Sequence, residues 1–430
     1  MAGLEDASAG AFLKNLSIVG GGWAGLSAAV HAVSSGWKVS VYEAAPQLGG
    51  RARRVVKNEC SLDNGQHILI GAYRDTLALM HKVGIDTQHS LLRMPLALRY
   101  VDGSGIQLKD IPAPLNVVLG IVCAHGWTWS DKWRFLVQTL KWQRQQFNCE
   151  PFLTVSDICT GVPPAIMRQL IEPLCVSALN MPCSQANAQI FLRVLKDALM
   201  GGTGSSDMLI PRVDQSALFP DKAYEWLIQH GAEVFTHQRI SDLGKLPASK
   251  VILACPAWEA AQLVKHLNPS WAANAAEMAH TSIATVYLHT HTPINWPLPV
   301  MALKSHAAAP AQFAFDKGRI SQLPQMQGVI AMVVSSSEGD KDELTQSVLA
   351  QARDELGLAT VQPLLTVVEK RAAFACPPGV VRPSMQIHDG VMACGDYVDG
   401  PYPSTLEAAV RSGIQVVDFL NNSALDENSA

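Results

Sequence analysis

The chain has 430 residues, which is long enough to bury a core of two or three layers and favours more than one substructure. Hydrophobic residues make up 48% and charged residues only 16%, so the protein either buries much apolar surface or contacts something apolar. The net charge of −4, without a Lys/Arg block, argues against nucleic acid as a partner, and no apolar run reaches the ~18 residues of a membrane-spanning helix.

The first predicted unit is a strand, a tight turn and a helix. Leu16–Val19 is a short apolar run of strand type, and Leu26–Val33 has a helical pattern. Between them, Gly20, Gly22 and Gly25 follow the spacing Gly-x-Gly-x-x-Gly. The first glycine permits the turn, the second lets the backbone approach a pyrophosphate, and the third lets the helix pack against the strand. The N–H groups at the start of the helix would then face the phosphates of a dinucleotide.

The second predicted strand ends in an acid. Val39–Tyr42 has strand character, and Glu43 follows it, 23 residues after Gly20. A carboxylate at this place accepts hydrogen bonds from an adenosine ribose and would repel a 2′-phosphate. Strand, helix and acid agree, which favours a dinucleotide site over a glycine-rich turn in another βαβ unit.

A further motif, Gly49, Gly50 and Arg51, follows this acid. A nicotinamide dehydrogenase does not require it. The motif resembles the extended fingerprint of FAD-containing amine oxidases and carotenoid desaturases, in which the glycines pass close to the cofactor and the arginine supports its pyrophosphate. The resemblance therefore implies FAD as the cofactor.

The next part of the chain predicts a strand through Leu62, a turn at 63–65 and a helix over Tyr73–Val83. The pattern from Leu91 to Gly202 is largely helical and apolar. Amphipathic helices are expected within it over Asp131–Phe147 and Pro163–Leu179. Pro173 is expected to kink the second of these helices.

Further strands are predicted in the second half of the chain. Glu233–Phe235 and Val251–Ala254 should return to the first sheet, whereas Thr281–His289 and Gly328–Ser335 suggest a second sheet in the substrate half. Ser206–Phe219 reads as irregular.

The closing segment contains a second motif. Val391–Cys394 reads as a strand that leads into Gly395 and Asp396. An ordinary turn would explain this pair alone, but the N-terminal motif favours a flavin site. By resemblance to FAD oxidoreductases, Gly395 approaches the cofactor and Asp396 hydrogen-bonds the ribityl or pyrophosphate part.

A helix is expected to begin near Ser404, because Ser404 and Glu407 have the spacing of a capping box. This would place Thr405 and Leu406 in its first turn, against the flavin. A helix N-terminus there stabilises negative charge on the N1–C2=O edge of the reduced ring. We predict both residues as cofactor contacts.

These elements predict an α/β fold, with a Rossmann-like FAD-binding domain built on a parallel sheet and interleaved with a mixed α+β substrate domain. The FAD-binding domain is expected to be discontinuous, over residues 1–85, 203–265 and 385–430. The substrate-binding domain would occupy residues 86–202 and 266–384.

Several segments together resemble those of the hydroxysqualene dehydroxylase family, FAD-dependent, desaturase-like enzymes of bacterial hopanoid gene sets. The similarity runs from Leu16 to about Gly413. The segments are Asp63–Tyr73, Ile171–Pro182, Phe191–Leu199, Met208–Arg212 and Gly400–Gly413. The resemblance implies reductive removal of the hydroxyl of hydroxysqualene to give squalene, with hydride from reduced FAD reaching an allylic cation. The protein would hold a long apolar chain, exclude water and assist hydroxide departure with an acid.

Candidates for this acid are chosen by position, and the alternatives stay open. Asp63 and His67 lie in the turn where related desaturases bring chain to the flavin and substrate, and Tyr402 precedes the flavin-facing helix. His67 fits a structural hydrogen bond equally well, Asp63 fits a turn cap better than an acid, and Tyr402 fits a pocket wall. Glu172 is either a buried acid or a side chain that reaches solvent.

The implied partners are a long apolar isoprenoid, hydroxysqualene, and companion condensing enzymes that form squalene. Ile111–Trp129 is apolar with terminal tryptophans, so it either lines a substrate entrance at the membrane surface or belongs to the core. Peripheral contact with the inner face of the cell membrane is a hypothesis. Two rival functions remain open: an oxidative carotenoid or isoprenoid desaturase, and a non-catalytic FAD-bound lipid carrier.

Cysteine usage and the start of the chain bear on location. The nine cysteines have no Cys-x-x-Cys pair, which predicts reduced thiols rather than a zinc site or a disulfide reductase. The acidic start, Met1–Asp6, lacks the basic and apolar regions of a signal peptide. We therefore expect a cytoplasmic protein and no metal site.

Overall fold

The computed structural model describes residues 14–57, 60–248, 250–321 and 323–427. Its strands in chain order are β1 (Asn15–Val19), β2 (Lys38–Tyr42), β3 (Arg54–Lys57), β4 (Cys60–Asp63), β5 (Leu69–Ile70), β6 (Leu91–Met94), β7 (Ala97–Arg99), β8 (Gly105–Gln107), β9 (Met208–Pro211), β10 (Glu233–Phe235), β11 (Lys250–Leu253), β12 (His280–His289), β13 (Val300–Ala302), β14 (Phe313–Asp316), β15 (Val329–Ser335), β16 (Gln362–Phe374), β17 (Gln386–His388) and β18 (Val391–Ala393).

The α-helices in chain order are α1 (Trp23–Ser34), α2 (Arg74–Lys82), α3 (Thr87–Ser90), α4 (Leu115–Cys123), α5 (Trp129–Arg144), α6 (Val155–Ile158), α7 (Pro164–Ile166), α8 (Glu172–Leu179), α9 (Ala188–Met200), α10 (Gln215–Leu218), α11 (Pro220–Gln229), α12 (Ala257–Val264), α13 (Pro269–Glu277), α14 (Lys317–Ser321), α15 (Lys341–Asp354) and α16 (Leu406–Glu427).

The first sheet has the strand order β10-β2-β1-β11-β18-β17. Its first five strands are parallel, and β17 joins the edge antiparallel to β18. The expected return of β10 and β11 to the strands of the N-terminal motif is confirmed. Helices α1 and α16 pack together, since the Ser27 hydroxyl of α1 donates to the Val410 carbonyl of α16 at 2.8 Å. The arrangement is the Rossmann-like parallel sheet that the glycine motif predicts.

The second sheet is antiparallel, with the order β13-β14-β15-β12-β16. The two strands expected from the sequence, β12 and β15, pair with each other near the centre of this sheet. Side chains alternate between its two faces, as the strand period requires. Val286 and Met332 belong to a core cluster that includes Val348 of α15, whereas Tyr287 and Val333 join the cluster that contains Phe191 of α9. Both faces of the sheet are therefore covered.

Two segments differ from the sequence-based expectation. Residues 91–202 begin with the strands β6, β7 and β8 before the helices start, and residues 206–219 contain β9 and α10 instead of irregular chain. Strand β9 pairs antiparallel with β5 and β6, which lie more than a hundred residues away in sequence. Such short strands depend on distant partners, so a local pattern does not reveal them.

The helix expected over residues 163–179 is present in three parts. A π-helical turn, Met167–Ile171, lies between α7 and α8. Pro173 lies in the first turn of α8, where its missing N–H would leave an ordinary α-helical hydrogen bond unmade. The wider turn before it accommodates this change. The helix then ends at Asn180 in a left-handed conformation with φ of 53°.

The chain crosses between the two sheets more than once. Residues 15–42, 233–253 and 386–393 supply the first sheet, and residues 280–374 supply the second. The two parts are thus interleaved along the sequence. The domain boundaries given above stay predictions.

Candidate functional site

A cavity of about 780 Å³ lies at the carboxyl ends of the parallel strands. It is lined by Val19 at the end of β1, Tyr42 at the end of β2, Ala254 just after β11, and Gly395 just after β18. Ligands of doubly wound α/β folds bind at this edge of the sheet. The volume falls within the range of about 300–1,000 Å³ that is typical of cofactor and small-molecule sites.

The three glycines of the first motif are needed for different reasons. Gly20 has a φ of +116°, and a Cβ there would lie 2.6 Å from the Ala254 carbonyl oxygen. A Cβ on Gly25 would lie 2.0 Å from the Gly20 carbonyl oxygen. A Cβ on Gly22 would meet only the Gly50 Cα, at 3.8 Å, and Gly22 lines the cavity. The protein itself therefore leaves room at Gly22, and the space there fits a pyrophosphate that approaches the backbone.

Helix α1 begins at this point. Gly22 is its N-cap residue, no side chain caps its first turn, and the first turn carries no acidic residue. The N–H groups of a helix start without a side-chain cap form an anion site, which the helix dipole strengthens. Both features fit the negatively charged pyrophosphate of a dinucleotide.

Glu43 lines the cavity at the end of β2. One carboxylate oxygen accepts from the Gly21 N–H at 2.7 Å, and the other accepts from the Ala45 N–H at 2.7 Å. These two bonds fix the orientation of the carboxylate. Each oxygen keeps a further lone pair, so the group can still accept from ribose hydroxyls, as predicted.

Gly49, Gly50 and Arg51 also line the cavity. The Gly49 N–H donates to the Gly21 carbonyl at 2.9 Å, which brings this loop against the first turn. The Arg51 guanidinium lies 2.5 Å from Asp396 and donates to the Ala372 carbonyl at 2.7 Å. The two predicted cofactor contacts, Arg51 and Asp396, are therefore brought together as an ion pair at the cavity.

Asp396 is buried, and its burial opposes ionisation. The charge of Arg51 and a hydrogen bond from the Ser404 hydroxyl outweigh that effect, so the pKa of Asp396 lies below its ordinary value. The loop after Asp396 is shaped by Arg382, which donates to the carbonyl oxygens of Gly400 and Tyr402 at 2.7 Å each. Asp396 is thus an ionised acceptor at a fixed position.

The predicted capping box of the last helix is wrong. Ser404 bonds to Asp396, and the Glu407 carboxylate accepts instead from the N–H of Thr76, at 3.0 Å, and from its hydroxyl, at 2.7 Å. The hydroxyl of Thr405 accepts from the Ala408 N–H at 3.1 Å, so Thr405 caps the helix. The two side chains of the expected box are engaged by tertiary partners, which a local pattern does not reveal.

Helix α16 therefore begins at Leu406, one residue after its cap. Thr405, Leu406 and Ala409 line the cavity. Thr405 and Leu406, which we predicted as cofactor contacts, thus lie at a helix N-terminus beside the cavity. A flavin bound in the cavity would be near this N-terminus.

His67 lines the cavity, and its Nδ1 lies 2.9 Å from the Gly65 carbonyl oxygen. A carbonyl only accepts, so Nδ1 carries the proton and the neutral ring has a bare Nε2. Burial lowers the pKa of His67 to about 4, and the nearby Arg51 acts in the same direction. The side chain is therefore neutral at pH 7, and its Nε2 is an acceptor.

Asp63 does not line the cavity. Its carboxylate accepts from the Gln215 N–H at 2.8 Å and lies 3.7 Å from the Lys317 ammonium. The Tyr287 hydroxyl donates to its backbone carbonyl at 2.9 Å. Burial raises the pKa of Asp63, although Lys317 opposes this. These contacts fix the turn against the second sheet, and a role as an acid stays an untested prediction.

Tyr402 also lies outside the residues that line the cavity. Its hydroxyl donates to Asp197 at 2.6 Å and accepts from Arg193 at 2.9 Å. The guanidinium groups of Arg193 and Arg411 lie 4.8 Å and 5.3 Å from the ring centroid. The structure does not bring Tyr402 and Asp63 together with His67. Glu172 is half-buried, and one of its oxygens accepts from the Cys183 N–H at 3.3 Å.

Other cavity residues were not expected from the sequence. Trp258, at the start of α12, and Arg371, on β16, line the cavity, and the Arg371 guanidinium lies 4.2 Å from the Trp258 ring centroid. Gln238 follows β10. The predicted ends of β10 and β11 could have identified Gln238 and Trp258, because the carboxyl ends of parallel strands meet at one edge of the sheet. Nothing local marked Arg371, which reaches the cavity from the second sheet.

Tyr397 gives a further test of whether a flavin fits. It lines the cavity, and its hydroxyl is buried without a hydrogen-bond partner among the described residues. Buried polar groups are normally paired. A polar atom of a bound cofactor would supply the missing partner, in agreement with the space at Gly22 and the uncapped start of α1.

The fold and the cavity define a two-part dinucleotide-binding protein whose site suits a flavin. A family model described as "Flavin containing amine oxidoreductase" matches residues 23–420, and the chain belongs to this family. The protein is an FAD-dependent oxidoreductase. None of the described helices is long and apolar enough to cross a membrane.

Individual proteins resemble the chain over nearly its full length. A hydroxysqualene dehydroxylase of Zymomonas mobilis is 26% identical, over 94% of this chain and 98% of that protein. A hydroxysqualene dehydroxylase of Sinorhizobium fredii is 25% identical, again over 94% and 98%. An oxidoreductase of Methanosarcina mazei has a solved structure with a TM-score of 0.70 and 15% identity, which covers 94% of this chain and all of that one. The last similarity concerns the fold.

Proposed function

We propose that the protein removes the hydroxyl of hydroxysqualene reductively and releases squalene. The observation that carries this proposal is the near full-length similarity to hydroxysqualene dehydroxylases, across both the flavin half and the substrate half. The overall change takes an allylic alcohol, a proton and a hydride to the hydrocarbon and water. When bound, reduced FAD supplies the hydride.

The residues at the cavity would bind and orient the cofactor. The start of α1 and Gly22 fit the pyrophosphate, and Glu43 fits the ribose. The start of α16, with Thr405 as its cap, favours negative charge in its part of the cavity.

His67 is the proposed acid candidate that lines the cavity. Departure of hydroxide needs a proton, and Nε2 of the neutral ring has none. Negative charge bound in the cavity raises the pKa of a histidine. We infer that Nε2 is a hydrogen-bond acceptor while the cavity carries no negative charge. When the cavity carries negative charge, Nε2 would take up a proton from solvent and donate it to the departing hydroxyl, which leaves as water.

Water must be kept from the allylic cation, because it would restore the alcohol. The second sheet and helices α5 to α9 supply the large apolar cluster on the substrate side. We propose that hydroxysqualene lies along this side. The companion condensing enzymes that form squalene, and the cytoplasmic location, stay predictions.

A single-turnover experiment without oxygen tests the function. The bound flavin is reduced chemically, hydroxysqualene is added, flavin absorbance is followed and the lipid is extracted. We expect flavin oxidation with an equal amount of squalene. A flavin that stays reduced beside intact substrate would overturn the proposal. Formation of conjugated double bonds by oxidised flavin would instead identify a desaturase.

A matched pair of variants tests the proposed acid. His67→Gln should slow the oxidation of reduced flavin by hydroxysqualene at least tenfold, while the flavin content stays that of the wild type. His89→Gln is the control, since His89 is exposed and its ring bonds to Asp86 of its own turn. Equal rates in the two variants would remove His67 from the mechanism.

A further inference from the structure

Helix α5 presents two faces of different character. One face is packed in the core, where Phe135 and Trp142 are buried and their rings meet edge to face at 6.3 Å. The helix start is fixed by a capping box between Thr128 and Asp131. The Lys132 ammonium donates to the Val122 carbonyl at 2.7 Å and holds α5 against the end of α4. The position of the helix is therefore well determined.

The other face of α5 is apolar and exposed. Trp129 is 72% exposed and Trp133 is 69% exposed. Val137 and Leu140 continue the row and are also exposed. The spacings of four, four and three residues place all of them on one side of the helix. We call Trp129, Trp133, Val137 and Leu140 the tryptophan face.

Helix α4, next to it, is also exposed on one side. Leu115, Val118 and Leu119 are exposed, whereas Gly120 and Ile121 are buried. The segment for which the sequence left a membrane-surface role and a core role open thus has an exposed apolar side and a buried side; the membrane-surface role stays a prediction. Large exposed apolar patches on a folded protein usually mark a binding surface.

Basic side chains accompany the tryptophan face. Arg134, Lys141 and Arg144 are exposed on α5, and its one acidic residue, Asp131, is engaged in the capping box. The whole chain carries a net charge of −4, so this helix departs from the overall balance. Exposed tryptophans next to Lys and Arg match the interface of a bilayer with anionic headgroups.

We propose that the tryptophan face and the adjoining side of α4 dock on the surface of a lipid bilayer that contains anionic lipids. The proposal rests on the proposed function for its purpose, since an isoprenoid substrate dissolves in the bilayer. A second copy of the chain fits less well. Symmetric pairing of two such helices would bring Arg134, Lys141 and Arg144 of both copies together, and like charges repel.

Vesicle co-sedimentation of the FAD-loaded protein tests the proposal without substrate. The vesicles are phosphatidylcholine alone and phosphatidylcholine with phosphatidylglycerol. We expect binding to the anionic vesicles that weakens at high salt. The variant Trp129→Ser with Trp133→Ser should bind at least tenfold more weakly. The variant Arg134→Gln with Lys141→Gln and Arg144→Gln should lose the preference for anionic vesicles.

Tyr224→Ser with Ile228→Ser is the matched control, because both residues are exposed and lie four apart on another helix, α11. It should bind like the wild type, and an unchanged flavin spectrum shows that each variant is folded. Equal binding by the tryptophan variant and the control would overturn the proposal, as would a dimer that dissociates only in the tryptophan variant. Vesicle binding by a protein that fails the single-turnover experiment would count against the proposed function alone.

Discussion

Gly22 and Gly25 lie three residues apart in one turn, yet a methyl group should act differently at each. At Gly22 it would meet only the Gly50 Cα at 3.8 Å, so Gly22→Ala should fold normally and bind FAD at least tenfold more weakly. At Gly25 it would lie 2.0 Å from the Gly20 carbonyl, so Gly25→Ala should destabilise the fold itself. Thermal unfolding of the apoprotein and titration with FAD separate the two. Normal FAD affinity in Gly22→Ala would contradict the assignment of this space to the pyrophosphate.

His67 provides a prediction about pH at the same scale. Its pKa is about 4 in the folded protein and near 6.5 in the unfolded chain, so the unfolded chain binds more protons between these values. The contribution of neutral His67 to the free energy of unfolding is fully present above about pH 6.5 and is lost as the pH drops toward 4. Because the His67 side chain is only partly buried, we expect this contribution to the free energy of unfolding to be about 1–2 kcal/mol.

His67→Gln should remove this part of the pH dependence of the free energy of unfolding. Urea unfolding of the apoprotein between pH 4 and pH 7 measures it, with His89→Gln as the control on an exposed histidine. Parallel pH profiles for the His67 variant and the wild type would show that the ring is not held neutral by burial.

At the scale of elements, the start of α16 allows a test of adjacent residues. Thr405 caps the helix and Ser404 bonds to Asp396. Thr405→Ala should lower the free energy of unfolding by about 1 kcal/mol through loss of the cap. Ser404→Ala should leave the cap intact and raise the pKa of Asp396, since it removes one bond that favours the ionised form. Chemical unfolding of both variants at neutral pH and at acid pH makes the comparison. A loss of stability in Ser404→Ala that is equally large at acid pH, where Asp396 is protonated, would instead support the capping box.

The same helix shows which features of the structure could be predicted from the sequence and which could not. The strand, glycine turn and helix at residues 15–34 were predictable because each signal lies within a few residues of the next. Of its predicted site residues, Gly20 and Gly22 line the cavity, whereas Gly25 packs closely against the Gly20 carbonyl. The spacing of Ser404 and Glu407 matched a capping box. In the structure, however, Glu407 bonds to Thr76 of α2 and Ser404 bonds to Asp396. Strand β9 and Arg371 depend on chain more than a hundred residues away, for which sequence periodicity carries no signal.

At the scale of the whole molecule, the turn after β4 and the second sheet meet through a buried polar network. Lys317, beside the second sheet, lies 3.7 Å from the Asp63 carboxylate and donates to Gln66 at 3.2 Å. Gln66 donates to the Tyr287 hydroxyl at 2.9 Å, and His67 follows it at the cavity. The network thus joins the second sheet to the turn that carries the proposed acid.

Removal of one member of the buried pair should cost more than removal of both. Asp63→Asn or Lys317→Met alone leaves a partner without its counter-charge, and we expect about 3–5 kcal/mol of lost stability. The double variant should recover part of this loss, because neither remaining group is a buried charge. Urea unfolding of the four proteins in a double-mutant cycle gives the coupling energy. The same variants decide the role of Asp63: a structural residue changes stability and leaves the pH profile of single turnover in place, whereas an acid would shift that profile in Asp63→Asn. Additive effects in the cycle would show that Asp63 and Lys317 do not couple this turn to the second sheet.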